Sequence, residues 1–270
     1  MEPKISIIIP TYNRAGLLPQ ALTSALKQSF SDFEILILDD ASTDDTYQRI
    51  SSFLEDPRVR YIKHPQNIGI SANRNYGISI AKGTYIAMLD SDDLWLDESK
   101  LSRQSEILDT HPDIGIVGTY VKIIDKEGKE TGKISTHAAD ASIRRSMMFR
   151  NQFFQSSILM RKETLVDAGN YDEKIPIWED YELYLRIGKL HQLRNIPEFL
   201  TAYRDHDSNI SKESEEKSIR TYRILYKLYK KVYPFAWVLL FKIMVFSVLN
   251  AKSRTFVRGI ARKVALLKPF

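Results

Sequence analysis

The chain has 270 residues, 43% hydrophobic and 27% charged, a composition that packs one large domain or two small ones. It contains no cysteine, which excludes disulfides and thiolate-held metals. The net charge of +5 is unevenly spread: residues 1–211 carry 25 Lys/Arg against 31 Asp/Glu, residues 212–270 carry 14 against 3, and no acidic residue follows Glu216. The basic balance thus belongs to a tail on a mildly acidic body.

Short β-rich runs at 5–9, 34–38, 59–63 and 84–89 alternate with helix-length segments. The first run is shorter than a signal peptide's apolar core, so the protein is expected to stay in the cytoplasm. Leu17, Leu18, Ala21, Leu22, Ala25 and Leu26 give one helical apolar face, and Tyr47, Ile50, Phe53 and Leu54 another. Ser42 or Thr43 is placed to cap the second helix. A third helix is predicted over 73–81, closed by Gly83. This alternation predicts a parallel sheet with right-handed crossovers. Further on, 98–110 reads as a helix, and 114–124 as a strand pair broken around Gly118. Residues 125–130 read as a polar hairpin turn, 153–160 as a strand, 162–168 as a short helix stopped at Gly169, and 178–190 as a helix.

Asp90-Ser91-Asp92-Asp93 follows directly on the fourth run. Three carboxylates in four residues repel one another, and a hard divalent cation such as Mg²⁺ or Mn²⁺, shared with substrate phosphates, is one reason to gather them. A solvated turn with an Asp capping the next helix is the other. The four runs end at Pro10-Thr11-Tyr12-Asn13-Arg14, at Asp39-Asp40, near Asn67-Ile68-Gly69, and at the Asp cluster. In a parallel sheet these ends share one rim, where open α/β sheets bind ligands. Such a rim suits a nucleoside diphosphate. Tyr12 offers a face to a base, Asp40 can accept from a base N–H, Arg14 and Arg74 can pair with phosphate or carboxylate, and Asp90 with Asp92 can hold a metal. Taken one at a time, these residues also read as surface packing, a helix entry and surface ion pairs.

In their order, Ser6 through Arg14, Leu38 through Asp44, Asn67-Ile68-Gly69 with Ala72-Asn73-Arg74-Asn75, and Leu89 through Asp93 resemble glycosyltransferase family 2 over residues 4–211. The resemblance implies an inverting nucleotide-sugar enzyme of the GT-A fold: an α/β, mostly parallel doubly wound sheet with helices on both faces. It implies that Pro10, Thr11, Tyr12, Arg14 and Asp40 frame the nucleoside and that Arg74 approaches the diphosphate. Asp90-Ser91-Asp92 matches the family's Asp-x-Asp motif, which holds Mg²⁺ or Mn²⁺, with Asp92 the direct ligand and Asp90 beside the nucleotide. Glu179-Asp180 resembles the Glu-Asp motif whose Asp is the base, although acidic residues are also favourable at any helix N-terminus. Tyr203-Arg204-Asp205-His206 resembles a Tyr-Arg-x-His element, placing His206 by the diphosphate or its metal.

The implied organisation is a catalytic domain at 1–211, with a nucleotide-sugar half to about 93 and an acceptor half beyond it, followed by a basic amphipathic helical tail at 212–270. The expected reaction is metal-dependent transfer of a hexosyl or N-acetylhexosaminyl group. The donor is a nucleoside-diphosphate sugar, with UDP the expected carrier, and the acceptor is a glycan or lipid-linked hydroxyl in cell-surface polysaccharide or glycolipid assembly. A non-catalytic sugar-nucleotide-binding scaffold and a sugar nucleotidyltransferase are the alternatives; the latter class carries a Gly-rich phosphate loop where this chain has Pro10-Thr11-Tyr12. In the tail, 232–249 is mainly apolar but interrupted by Lys242, and basic residues flank it on both sides. A spanning helix needs about 20 apolar residues. The tail is therefore expected to lie on the cytoplasmic membrane face, with Tyr233, Phe235, Trp237, Phe241 and Phe246 at headgroup depth, and not to bind nucleic acid. An amphipathic pair that packs on the catalytic domain or forms an oligomer is the alternative.

Overall fold

A computed structural model describes residues 2–206 and 215–248. In chain order these form β1 (Ile5–Thr11), α1 (Leu18–Leu26), β2 (Phe33–Asp39), α2 (Thr46–Ile50), β3 (Val59–Lys63), α3 (Ile70–Ile80), β4 (Tyr85–Met88), β5 (Leu94–Trp95) and α4 (Lys100–Thr110). Then come β6 (Ile114–Ile124), β7 (Glu130–Ile134), α5 (Asp140–Ser146), β8 (Leu159–Arg161), α6 (Lys162–Asp167), α7 (Glu179–Leu190), β9 (Gln192–Arg204), α8 (Glu215–Tyr229) and α9 (Trp237–Val248). Single 3-10 turns occupy Ser51–Glu55 and Gln155–Ser157.

One sheet runs β3-β2-β1-β4-β8-β6-β9-β5, with β7 added to β6. The first four strands are parallel, as the alternation predicts. Beyond β4 the sheet is mixed: β8 is antiparallel to both β4 and β6, whereas β6 and β9 run parallel. Along β1 and β2, side chains alternate between two cores. Ile8, Leu36 and Leu38 enter one, and Ile5, Ile7, Ile9, Ile35 and Ile37 the other. Burial on both faces is why these strands read as unbroken apolar runs.

Three local expectations are corrected, and one strand is added. The 114–124 segment is a single strand, and Gly118 is there for clearance: a Cβ would meet Asn195 Oδ1 at 2.2 Å. Residues 153–160 are mostly not strand, because Gln155–Ser157 winds into a 3-10 turn before β8. Strand β9 went unread because Pro197 interrupts its pattern. Its register against β6 jumps from Thr119↔Ile196 to Tyr120↔Phe199, an irregularity that takes up the proline. Lastly, Gly83 is not a left-handed helix stop. A Cβ there would lie 2.4 Å from the Ser6 backbone nitrogen, so glycine lets the turn press on β1. Gly83→Ala is therefore expected to destabilise the protein by about 1–3 kcal/mol, read by urea denaturation; an unchanged midpoint would refute this origin of the glycine.

Helices α8 and α9 pack their inner faces on the body that carries the sheet. Tyr222, Leu225, Tyr229, Tyr233, Ala236 and Leu239 belong to the same buried cluster as Ile8 and Met88. Tyr233 is thus not at headgroup depth; it is buried, and its hydroxyl donates to Leu185 O at 2.8 Å. Among the described residues no helix is long and apolar enough to cross a membrane. Leu249 and the basic residues Lys252, Arg254, Arg258, Arg262 and Lys263 lie outside the described residues, as does the Phe246 side chain.

Candidate active site

Strand β1 has β2 on one side and β4 on the other, so strand order reverses between β1 and β4. A crevice opens at the carboxyl ends of strands at such a reversal. Pairing of β1 with β4 runs only to Ile8↔Met88, followed by a last bond from Leu89 N to Ile8 O at 3.1 Å. Pro10 lies just past that point, where a missing N–H costs no ladder bond. The polar ends Thr11–Arg14 and Asp90–Asp93 face each other across the resulting gap.

The three carboxylates of the cluster have separate fates. Asp93 is buried; its Oδ1 accepts from Arg204 N at 2.8 Å and its Oδ2 from Ser156 Oγ at 2.5 Å. Burial, followed by the charges of Asp92 and Asp90, holds its carboxyl well above the usual carboxylate range. Asp93 is an internal anchor. Ser156 also accepts from Asp90 N at 3.0 Å, and Arg204 donates to Asp92 O at 2.8 Å, so the whole turn is pinned from behind. Asp90 and Asp92 retain some exposure to the crevice. Asp92 Oδ2 lies 3.0 Å from His206 Nε2 and 3.6 Å from Arg14 Nε. Its carboxyl is raised by burial and by Asp90, against the pull of Arg14 and His206.

Arg74, from α3, is the buried hinge of the site. One arm of its guanidinium donates to Asp90 Oδ1 at 2.8 Å and the other to Glu179 Oε1 at 2.6 Å. It therefore joins the Asp cluster to the acidic turn that opens α7. Both arms of its fork are engaged by carboxylates, while its buried Nε has no hydrogen-bond partner among the described residues. Next to Glu179, the Asp180 carboxyl is pushed up to about 7, first by burial and then by the Glu179 charge, with Arg74 opposing. Asn151 Nδ2 donates to Asp180 Oδ2 at 3.4 Å.

The turn that aims this pair is strained. Trp178 has φ +61°, a left-handed conformation rarely taken by a bulky side chain. It is held from α8: the Tyr222 ring lies 5.0 Å from the indole, and Thr221 Oγ1 donates to Ile177 O at 3.2 Å.

At the end of β1, Pro10 and Thr11 are buried and Tyr12 is 46% exposed. Thr11 Oγ1 is buried with no hydrogen-bond partner among the described residues, the kind of atom a bound ligand satisfies. Asn13 fastens this loop to the end of β2, donating from its N–H to Ser42 Oγ at 2.9 Å and accepting from Thr43 N at 2.8 Å. Ser42 therefore braces the loop and does not cap α2, which has no side-chain cap. Asp40 accepts from Ile68 N at 2.7 Å and Gly69 N at 3.0 Å, tying β2 to the turn before α3. Each of its oxygens keeps a second lone pair for a ligand.

The structure thus gathers Arg14, Arg74, Asp90, Asp92, Asp180 and His206 around one network, with Thr11, Tyr12 and Asp40 on the adjoining rim. Sequence reasoning missed Asn151 and Ser156. Neither stands in a recognisable motif; only their position in space marks them.

A mixed sheet with an Asp-x-Asp turn after its fourth strand, and an acidic pair opening a later helix, defines the GT-A class of glycosyltransferases. The profile of glycosyl transferase family 2 matches residues 6–169. The chain is 33% identical over 222 residues to the Escherichia coli UDP-Glc:alpha-D-GlcNAc-diphosphoundecaprenol beta-1,3-glucosyltransferase WfaP, covering 82% of this chain and 85% of that protein. It is 28% identical over 229 residues to the uncharacterized glycosyltransferase MJ1057 of Methanocaldococcus jannaschii, covering 83% and 79%. Among solved structures, S. aureus TarS 1-349 in complex with UDP-GlcNAc superposes with a TM-score of 0.71 at 19% identity, covering 91% of this chain and 73% of that one. Mannosyltransferase PcManGT from Pyrobaculum calidifontis, in complex with GDP-Man and Mn2+, gives 0.64 at 17% identity, covering 100% and 77%. The chain belongs to glycosyl transferase family 2.

Proposed function

We propose that this glycosyltransferase moves a sugar from a UDP-sugar to a hydroxyl of a lipid-linked acceptor, with inversion, on the cytoplasmic side of a membrane in cell-surface glycan assembly. The observation that carries the reading is the Arg74 bridge, which puts the Asp-x-Asp turn and the Asp180 turn on one rigid network. Support for the donor comes from the UDP-GlcNAc complex of TarS, and for the acceptor from WfaP, named for a diphosphoundecaprenol-linked substrate. In this reading residues 1–211 carry the reacting groups, and residues 212–270 brace the Trp178 turn and supply a surface contact.

Asp180 takes the proton of the attacking hydroxyl. As the new C–O bond forms, the bond from the anomeric carbon to the diphosphate breaks on the opposite face, so an α-linked donor gives a β-linked product. Asn151 holds one oxygen of Asp180 and leaves the other to receive the proton. Arg14 lies beside Asp92, where it can meet the phosphates.

A divalent metal fits the donor set. Asp90 and Asp92 are hard oxygen donors from one turn, and both keep some exposure to the crevice. Among the described residues no group of three or more His, Asp or Glu side chains could hold a metal ion, so phosphate oxygens and water would complete the shell, as is usual for Mg²⁺. When bound there, Mg²⁺ or Mn²⁺ offsets charge on the departing diphosphate. The test is titration with UDP-, GDP- and dTDP-sugars, with and without Mn²⁺. We expect Mn²⁺-dependent binding of a UDP-sugar and its loss by roughly tenfold or more in Asp92→Ala. Equal titrations with and without metal would remove the metal assignment, and preference for another base would remove UDP.

A further inference from the structure

We propose that the outer face of α9, continued by Phe235 and Phe149, is where the enzyme rests on an anionic phospholipid surface, and that this contact sets Asp180 beside the bilayer, where a lipid-linked acceptor presents its sugar. The second half rests on the acceptor reading above.

Helix α9 is apolar apart from Lys242 and Ser247. Ala236 in the turn before it, with Leu239 and Ile243, packs on the protein core. Trp237, Leu240, Phe241 and Met244, spaced as one helical stripe, are 61%, 44%, 54% and 54% exposed. A contiguous run of large apolar side chains on the solvent side marks an interaction face. It continues beyond the helix, because the exposed Phe235 stacks against the exposed Phe149 with ring centres 5.4 Å apart. Phe235 holds a left-handed φ of +62° while presenting its ring outward. The one charge in the stripe's sequence does not interrupt the face. Lys242 turns inward, donating to Phe149 O at 2.6 Å and lying over the Tyr222 ring.

Charge selects the occupant. Arg220, Arg223, Lys227, Lys230 and Lys231 are exposed on α8 and the turn that leads to α9. From Lys217 to Phe270 the sequence has no acidic residue, and Lys252, Arg254, Arg258, Arg262, Lys263 and Lys268 follow the helix. A second copy would bring like charge against this face, whereas anionic lipid headgroups complement it. At 12 residues α9 is about 18 Å long, so it lies along an interface and does not cross it.

The contact also reaches the base. Phe149 and Asn151 stand two residues apart, at most about 7 Å of chain. Asn151 holds Asp180, and Tyr181 donates its hydroxyl to Met147 O. One short turn therefore has the apolar face at one end and the base at the other.

The absence of cysteine makes a single introduced thiol unique. The full chain carrying Phe149→Cys, labelled with an environment-sensitive fluorophore, would be mixed with vesicles of phosphatidylcholine alone or with phosphatidylglycerol. We expect a blue shift only with phosphatidylglycerol, and none at a Glu55→Cys control. In flotation, Trp237→Glu/Phe241→Glu should lower recovery with the mixed vesicles by roughly tenfold, with melting temperature and UDP binding unchanged. Three results would overturn the proposal: no flotation of the wild type, equal flotation of the double variant, or a dimer split by the double variant without flotation. UDP-sugar titration of the same samples reads the catalytic assignment separately. Lost titration with retained flotation would fault that assignment and leave the surface contact standing.

Discussion

Asp180→Asn is expected to lower transfer by about 10²–10⁴-fold while UDP-sugar binding stays within a few-fold of the wild type. The amide keeps the shape and the contact with Asn151 but cannot take a proton. The same assignment makes a pH prediction. A base works only when deprotonated, and burial together with Glu179 raises the Asp180 carboxyl to about 7. Transfer should therefore fall about tenfold per pH unit below that value and level off above it. Removing the Glu179 charge removes the second-largest cause of the rise, so Glu179→Gln should move the acid limb to lower pH. Initial rates across pH, in buffers of constant ionic strength, measure both effects. A flat profile through pH 6 in the wild type, or undiminished transfer in Asp180→Asn, would take Asp180 out of the mechanism.

Arg74→Met carries the largest expected cost to the fold. The guanidinium is nearly fully buried and holds two carboxylates, Glu179 well shielded and Asp90 about a quarter exposed. Removing one partner of a buried pair costs about 3–5 kcal/mol, and the exposure of Asp90 places this case toward the lower end. Arg74→Lys should not restore the wild type, because an ammonium cannot present two parallel donors to carboxylates on different elements. In Arg74→Met, Asp180 loses a cation that lowers its carboxyl, so the acid limb should move to higher pH. Urea denaturation and the rate profile test the two halves separately. Wild-type stability in Arg74→Met would show that the bridge does not hold the site together.

The parallel half of the fold was legible because strands buried on both faces leave continuous apolar runs, and their polar ends stand out against them. The mixed half was not. Strand β9 hides behind Pro197 and the irregularity it requires, and β8 is only three residues long. Within the site, the Asp run showed where charge gathers but not which carboxylate does what. Asp93 differs from its neighbours only through Ser156 and Arg204, which lie 63 and 111 residues away in sequence. Arg74 was legible as a partner for phosphate or carboxylate, but not as the partner of Glu179, which lies 105 residues on. The inward turn of Lys242 was likewise illegible, since its acceptor is a backbone oxygen of a distant loop.

The left-handed Trp178 has a consequence for handling this enzyme. Its backbone stays in that well because Tyr222 and Thr221 of α8 lean on it, and α8 in turn is followed by the helix that carries the apolar face. A version cut at residue 211 is therefore expected to relax the indole and misdirect the base, not merely to lose adhesion. Clipping the tail would confuse two properties that point substitutions on the outer face keep apart. By the same linkage, a detergent that prises α9 off the body should register as inactivation before the sheet melts.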